Sequence, residues 1–248
     1  FNVSDKAHRV AAAHSATMRP VTRTGDGVRI YLRANISLLS EVPIARELKA
    51  EGIGLYRTEF PFLIRSSFPA EEEEYRIYKR LCDAMSGQLV IFRTLDIGGE
   101  KVPAYWEISG EPNPQLGLRS IRFSLRHPEQ FCQQIRAILR AGADTEKLGI
   151  MFPMISSLDE FTRARELVTE SLQVLDHERL PHHPTPSLGA MLEVPAVVEI
   201  VDELAREADF LSIGTNDFVQ YLLGVDRAND QVAYAYRPAH PSVLRTLK

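Results

Sequence analysis

Two arginines and two carboxylates, each at the end of an apolar run, are the residues of this chain best suited to chemistry. Arg57 lies in LYRTEF and Arg93 in IFRTLD, so two separate runs end in the same Arg-Thr pair. An arginine this close to buried apolar sequence needs an anionic partner to offset its desolvation. That partner is either a nearby carboxylate, Glu59 or Asp96, or an external oxyanion. Repetition of the pair favours the oxyanion, because guanidinium forks match phosphate and carboxylate oxygens in pairs. Glu193 in MLEVP and Asp217 in GTND end two successive runs. Carboxylates beside arginines either neutralise them or hold a cation between them and a phosphorylated ligand. Mg²⁺ takes one or two carboxylates plus ligand oxygens, which is this arrangement. Asp217 has a competing role as cap of the helix that follows SIGTN. Asn216, just after Gly214, stands at a strand-to-helix turn whose backbone amides can meet an anion. Arg227 in VDRAND follows about one helix later and can return to the same place; a salt bridge to Asp226 or Asp230 is its competing reading.

The elements that would position these residues alternate along the chain. Strands are expected at VRIYLRANI (28–36), GIGLYRTEF (52–60), LVIFRTLDIGG (89–99), LGIMFPMI (148–155), SLGAMLEVP (187–195) and FLSIGTND (210–217). Amphipathic helical stretches follow them: to about Ala50, at AEEEEYRIYKRLCDAM, at 115–126 and 128–141, at SLDEFTRARELVTESLQVL, from Ala196 to Glu207, from near Asn216, and at HPSVLRTLK. Near-continuous apolar strands, each followed by a helix, imply a parallel sheet buried on both faces. No Gly-rich phosphate fingerprint follows the first strand, which argues against a dinucleotide-binding sheet. One functional group at the end of each of several strands is how a barrel builds a site at its C-terminal face. The fold class is therefore α/β, a (β/α)₈ TIM-type barrel truncated after about six strands. Residues 1–27, with HRVAAAHSATM as a helix end and TRTGDG as a turn, read as a linker or arm from an upstream domain. Residues 28–248 read as the barrel domain, incomplete at its C-terminus.

Other features say less. Pro69 precedes Glu71 to Glu74, which suit the positive end of a helix dipole and read as a solvated helix start. DIGGEK (96–101) lacks the spacing of a nucleotide-binding loop. Arg119 and Arg122, three apart in GLRSIR, would share a helical face, which either brings one of them to the mouth of the barrel or forms a solvent-exposed basic face. His182 and His183 lie in RLPHHPTP, a surface-loop composition, and Trp106 reads as a packing anchor in EKVPAYWEISGEPNPQLG, a long excursion after the third strand. A net charge of −4 offers no basic field for nucleic acid, and no apolar stretch is long enough to span a membrane. Cys82 and Cys132 form no ligand spacing and read as two buried thiols in a reducing cytoplasm.

GLYRTEF, FRTLDIGGEK, NPQLGLRSIR, IMFPMI, MLEVPA, SIGTNDFVQY and VDRAND occur in one order from about residue 28 to the end. Together they resemble the Enzyme I family of the bacterial phosphotransferase system, the phosphoenolpyruvate–protein phosphotransferases. PFLIRSSFPAEEE, RTLDIG, SSLDE and MLEVP look closer to the nitrogen-related paralogue than to the sugar-transport enzyme. The resemblance implies a barrel that binds phosphoenolpyruvate and Mg²⁺. In it, Arg57 and Arg93 would hold the phosphoryl group, Arg227 and Asn216 the rest of the substrate, and Glu193 and Asp217 the metal. Arg119 matches a further arginine near the site. The implied reaction is in-line transfer of the phosphoryl group to a histidine, with pyruvate as product, as first step of a relay to an HPr-like phosphocarrier protein. The accepting histidine lies, in the family, on a separate domain with a Gly-Gly-x-x-Ser-His motif that has no counterpart here. The family's acid cysteine belongs to a later strand, and neither Cys82 nor Cys132 matches it. The resemblance thus implies a fragment that does not complete the reaction by itself. It also implies a homodimer, which the two open edges of a six-strand barrel would favour as well.

Three other readings compete. The barrel of pyruvate phosphate dikinase or phosphoenolpyruvate synthase shares the substrate and metal logic. A Mg²⁺-dependent malyl- or citramalyl-CoA lyase also pairs carboxylates with an arginine on a barrel. A non-catalytic phosphoenolpyruvate-sensing module would use the same binding residues.

Overall fold

The computed structural model describes residues 21–98 and 111–248. The helix end expected in HRVAAAHSATM, Lys101 of DIGGEK and Trp106 lie outside the described residues. A small antiparallel hairpin comes first, β1 (Thr22–Arg23) against β2 (Arg29–Ile30). The expected TRTGDG turn joins them, with the Thr24 amide donating to the Val28 carbonyl. Six parallel strands follow in sequential order: β3 (Ala34–Ile36), β4 (Gly52–Arg57), β5 (Leu89–Arg93), β6 (Leu148–Phe152), β7 (Ser187–Leu192) and β8 (Phe210–Ile213). This is the curled sheet of a TIM-type barrel, open between β3 and β8, with helices outside it.

One expectation about the strands needs correction. The run 28–36 was expected as one strand, but only Ala34–Ile36 joins the sheet. Arg29 and Ile30 belong to the hairpin, and Tyr31 and Leu32 are exposed. An apolar run does not say which partner it pairs with.

Side chains of the central strands alternate between two cores. Leu55, Ile91, Met151 and Met191 point into the barrel. Tyr56, Phe92, Ile150 and Phe152 point outward under the helices. There Tyr56, Tyr78 and Phe92 meet edge to face, an arrangement that the ring quadrupole favours. The helices are α1 (Val42–Glu47), a single turn α2 (Phe60–Leu63), α3 (Glu71–Ala84), α4 (Ser120–Arg126), α5 (Pro128–Ala141), α6 (Leu158–Glu178), α7 (Val201–Glu207), α8 (Thr215–Leu223) and α9 (Pro241–Thr246). Their starts are legible locally. Ser157 and Glu160 form a capping box on α6. The Glu73 carboxylate accepts the Ala70 amide at the head of α3.

The acidic head of α3 is not the solvated helix start expected. Glu71 and Glu72 pair with Arg140, Glu71 also with Arg136, and Glu73 with Arg65. Glu74 faces the core, 1% exposed, and neither carboxylate oxygen has a partner. Both cysteines are free thiols, Cys82 buried and Cys132 half-buried. RLPHHPTP is the expected loop between α6 and β7, with Pro181, Pro184 and Thr185 exposed, but His183 itself is buried and its Nδ1 accepts the Thr185 amide. Among the described residues no helix is long and apolar enough to cross a membrane.

Candidate active site

The C-terminal ends of the barrel strands open into one cavity of about 440 Å³. Arg57, Arg93, Glu193, Asn216, Asp217 and Arg227 all line it. Arg57 is the last residue of β4 and Arg93 the last of β5, paired across the sheet. Glu193 follows β7 by one residue, while Asn216 and Asp217 lie in the first turn of α8. Parallel strands share one direction, so every strand-to-helix junction delivers its polar residue to the same rim.

Arg119 joins them, but not as a helical neighbour of Arg122. It sits just before α4 with an extended backbone, and Ser120 then adopts a left-handed conformation, φ 56°. That break separates the two arginines. Arg122 turns back to the carbonyls of Leu116 and Gly117, while Arg119 is buried in the cavity wall, 6% exposed. Gly98 makes room for it: its φ is 111°, and a Cβ there would lie 2.5 Å from the Arg119 Cβ.

The charges form a ladder along the wall. Arg93 Nη2 contacts Glu59 and, at 3.1 Å, Asp96. Arg119 Nη2 contacts Asp96 at 3.0 Å and Asp217 Oδ2 at 3.5 Å. Arg227 Nη1 lies 3.3 Å from Asp217 Oδ1. The internal ion pairs weighed for Arg93 are therefore present, whereas Arg227 pairs with Asp217 rather than with Asp226 or Asp230. Arg57 is exposed and forms no ion pair among the described residues. Burial pulls the Arg93 guanidinium towards neutrality, but Asp96, Glu59 and Glu193 outweigh it and hold its pKa above the ordinary value. Arg93 therefore stays charged.

Glu193 is 1% exposed. The Met154 amide donates to its Oε1 at 2.7 Å, from a left-handed backbone of φ 57°. Burial, then the charges of Asp96 and Asp217, push its carboxyl up to about 8 against the pull of Arg93.

Several polar atoms of this wall lack hydrogen-bond partners. Arg93 Nε and Arg119 Nε are buried donors without acceptors, and Asp217 Oδ1 is a buried acceptor with no hydrogen-bond donor. Buried polar atoms are normally satisfied, and these exceptions cluster in the wall of one cavity. Glu193 and Asp217 fit a Mg²⁺ ion by donor chemistry: two hard carboxylates, one with an oxygen unclaimed by any hydrogen bond, beside a cavity open to phosphate oxygens and water. Among the described residues no three acidic, His or Cys side chains converge as a self-sufficient metal cluster.

Sequence reasoning missed Gln115, Gln220 and Tyr221. Gln115 and the Tyr221 hydroxyl both hold Arg119 Nη1, at 2.6 and 3.0 Å. Gln220 Oε1 accepts the Arg227 amide at 3.2 Å and so fixes the return of that loop. Tyr221 and Gln220 lie four and three residues after Asp217, one turn along α8. That spacing was the available signal.

Residues 11–248 match the family model described as PEP-utilising enzyme, PEP-binding domain, PEP being phosphoenolpyruvate. The chain is 44% identical over 227 residues to a phosphoenolpyruvate-protein phosphotransferase of Staphylococcus aureus, covering 92% of this chain and 40% of that protein. It is 42% identical over 244 residues to one from Geobacillus stearothermophilus, covering 98% of this chain and 41% of the relative. A relative from Staphylococcus carnosus is 44% identical over 225 residues, with 91% and 39% covered. A parallel barrel sheet with an arginine- and carboxylate-lined mouth defines the class, and the chain belongs to the PEP-utilising enzymes as their PEP-binding domain. Those curated relatives bear the name phosphoenolpyruvate-protein phosphotransferase, and the chain spans about 40% of their length.

Proposed function

We propose that this domain binds phosphoenolpyruvate with Mg²⁺ and supports transfer of its phosphoryl group to a histidine on a separate domain, with pyruvate as product. The observation that carries the reading is the convergence of Arg57, Arg93, Arg119 and Arg227 with Glu193 and Asp217 around one cavity. Arg57, exposed and without an ion pair among the described residues, meets the phosphoryl oxygens first. Arg93 and Arg119 are held by the carboxylates beneath them, so they present positive charge without having to reorganise. Arg227 and the exposed Asn216 take the carboxylate end of the substrate. Glu193 and Asp217 would hold the Mg²⁺, which when bound spreads the negative charge on the phosphoryl and enolate oxygens. The residues of this domain bind, orient and neutralise. The transferred group leaves for an acceptor that the relatives' name, a protein phosphotransferase, implies.

The wider setting follows from the same reading: a cytoplasmic, homodimeric enzyme that passes the phosphoryl group to an HPr-like carrier protein. The wording of PFLIRSSFPAEEE and SSLDE supports the nitrogen-related branch. Calorimetric titration of phosphoenolpyruvate with and without Mg²⁺ tests the core of the proposal. Binding that requires Mg²⁺ and is lost in both Arg57→Ala and Glu193→Ala is expected. Equal binding without Mg²⁺, or in a folded Glu193→Ala protein, would overturn the metal assignment.

A further inference from the structure

The two Arg-Thr strand ends are tied together from below by one side chain of the outer helix α5. Gln134 is 2% exposed, far from the cavity rim in sequence and absent from its lining. Its Oε1 accepts the Leu95 amide at 2.9 Å, just past the end of β5. A backbone N–H can only donate, so the amide oxygen must face Leu95 and the nitrogen must face away. Nε2 then donates to Thr58 Oγ1 and to the Tyr78 hydroxyl, each at 3.3 Å. Thr58 Oγ1 in turn donates to the Arg93 carbonyl at 2.9 Å. Thr58 and Tyr78 are fully buried. The amide thus uses its oxygen and one N–H to link the residue after Arg57 to the residues that follow Arg93, and its other N–H to anchor on Tyr78 of α3.

We infer that Gln134 is a positioning residue that holds the Arg57 and Arg93 strand ends at the spacing that lets both guanidinium groups grip one phosphoryl group. This rests on the phosphoenolpyruvate reading above. The Thr58 hydroxyl and the Arg93–Glu59 ion pair also join the two strand ends, and Gln134 braces that junction from the helix layer by holding Thr58 and the Leu95 amide at once. Methionine at position 134 would fill nearly the same volume and make none of the bonds. Loss of this link would loosen the phosphoryl side of the site and leave the Glu193–Asp217 side, which is built on other strands, in place.

The test compares two ligands in the intact protein with Mg²⁺: phosphoenolpyruvate, which carries a phosphoryl group, and oxalate, a planar dicarboxylate that chelates the metal and carries none. Gln134→Met is expected to weaken phosphoenolpyruvate about tenfold, the effect of about one hydrogen bond's worth of preorganisation, and to leave oxalate unchanged. Thr58→Val should act in the same way, and Thr58→Ser, which restores the hydroxyl, should recover most of the loss. If Gln134→Met fails to fold, the Thr58 pair decides alone. Parallel losses for both ligands would mean a merely structural role and overturn the inference, as would unchanged phosphoenolpyruvate binding. A wild-type protein that binds oxalate but not phosphoenolpyruvate would instead overturn the functional reading, and the inference with it.

Discussion

The Glu193 carboxylate packs directly against Gly214: a Cβ at position 214 would lie 2.5 Å from Glu193 Oε2 and 2.7 Å from its Cβ. The glycine at the end of β8 therefore decides where the carboxylate at the end of β7 can stand. Gly214→Ala is expected to displace Glu193 and weaken Mg²⁺-dependent phosphoenolpyruvate binding by at least about tenfold. Overpacking should cost about 1–3 kcal/mol of stability. Calorimetry and urea unfolding read the two effects separately, and tight Mg²⁺-dependent binding by the variant would show that the contact does not matter.

Arg57 and Arg93 look alike in sequence but should respond differently to truncation. Arg57 is exposed and forms no ion pair among the described residues, so Arg57→Ala should change stability by less than about 0.5 kcal/mol while binding is lost. Arg93→Ala leaves Glu59 buried without the cation it pairs with, and takes one of the two arginines from Asp96, and should destabilise by about 3–5 kcal/mol. Equal unfolding midpoints for the two variants would contradict this division.

The raised pKa of Glu193 makes ligand binding depend on pH. Below about 8 the carboxyl holds a proton that Mg²⁺ must displace. Affinity should therefore rise with pH up to about 8 and then level off, with proton release at pH 7. Titrations in buffers of different ionisation enthalpy measure the released proton directly. The folded pKa lies above the unfolded one, so Glu193 also lowers the stability of the unliganded protein as pH rises from about 4.5 to about 8. Ligand and metal together should reverse that loss.

Glu74 predicts a stabilising substitution. Burial, then the neighbouring Glu71 charge, raise its pKa well above the ordinary carboxylate value, and both its oxygens are unpartnered. Its penalty is absent below the unfolded pKa, where both states are protonated, and grows as pH rises. Glu74→Leu should stabilise the protein at pH 7 by about 1–3 kcal/mol, with the gain shrinking towards pH 4. Thermal unfolding at the two pH values checks the sign. A destabilised variant at pH 7 would mean that the carboxyl finds a partner after all.

Much of the site could be read along the chain because parallel strands share a direction. Apolar runs that end in Arg57, Arg93, Glu193 and Asp217 had to deliver those residues to one rim once the sheet formed. The order of the six strands, the helix starts at Glu71 and Ser157, and the return of Arg227 to the mouth were legible for the same reason: each is set by local pattern or short connection. Only the tertiary structure decided how the charges pair. Glu59 meets Arg93 across 34 residues, Asp96 meets Arg119 across 23, and Gln134 reaches Thr58 across 76. Local periodicity says which face of an element is apolar, not which charge on another element will stand opposite. The left-handed backbone at Ser120 took Arg119 off its helix and into the wall. Packing of α3 against α5 buried Glu74 where composition suggested solvent. Tyr31 and Leu32 stayed out of the barrel because the hairpin claimed the residues before them. Residue type and spacing determined the chemistry this chain can perform, and three-dimensional proximity decided which of its charged groups remain available to a ligand.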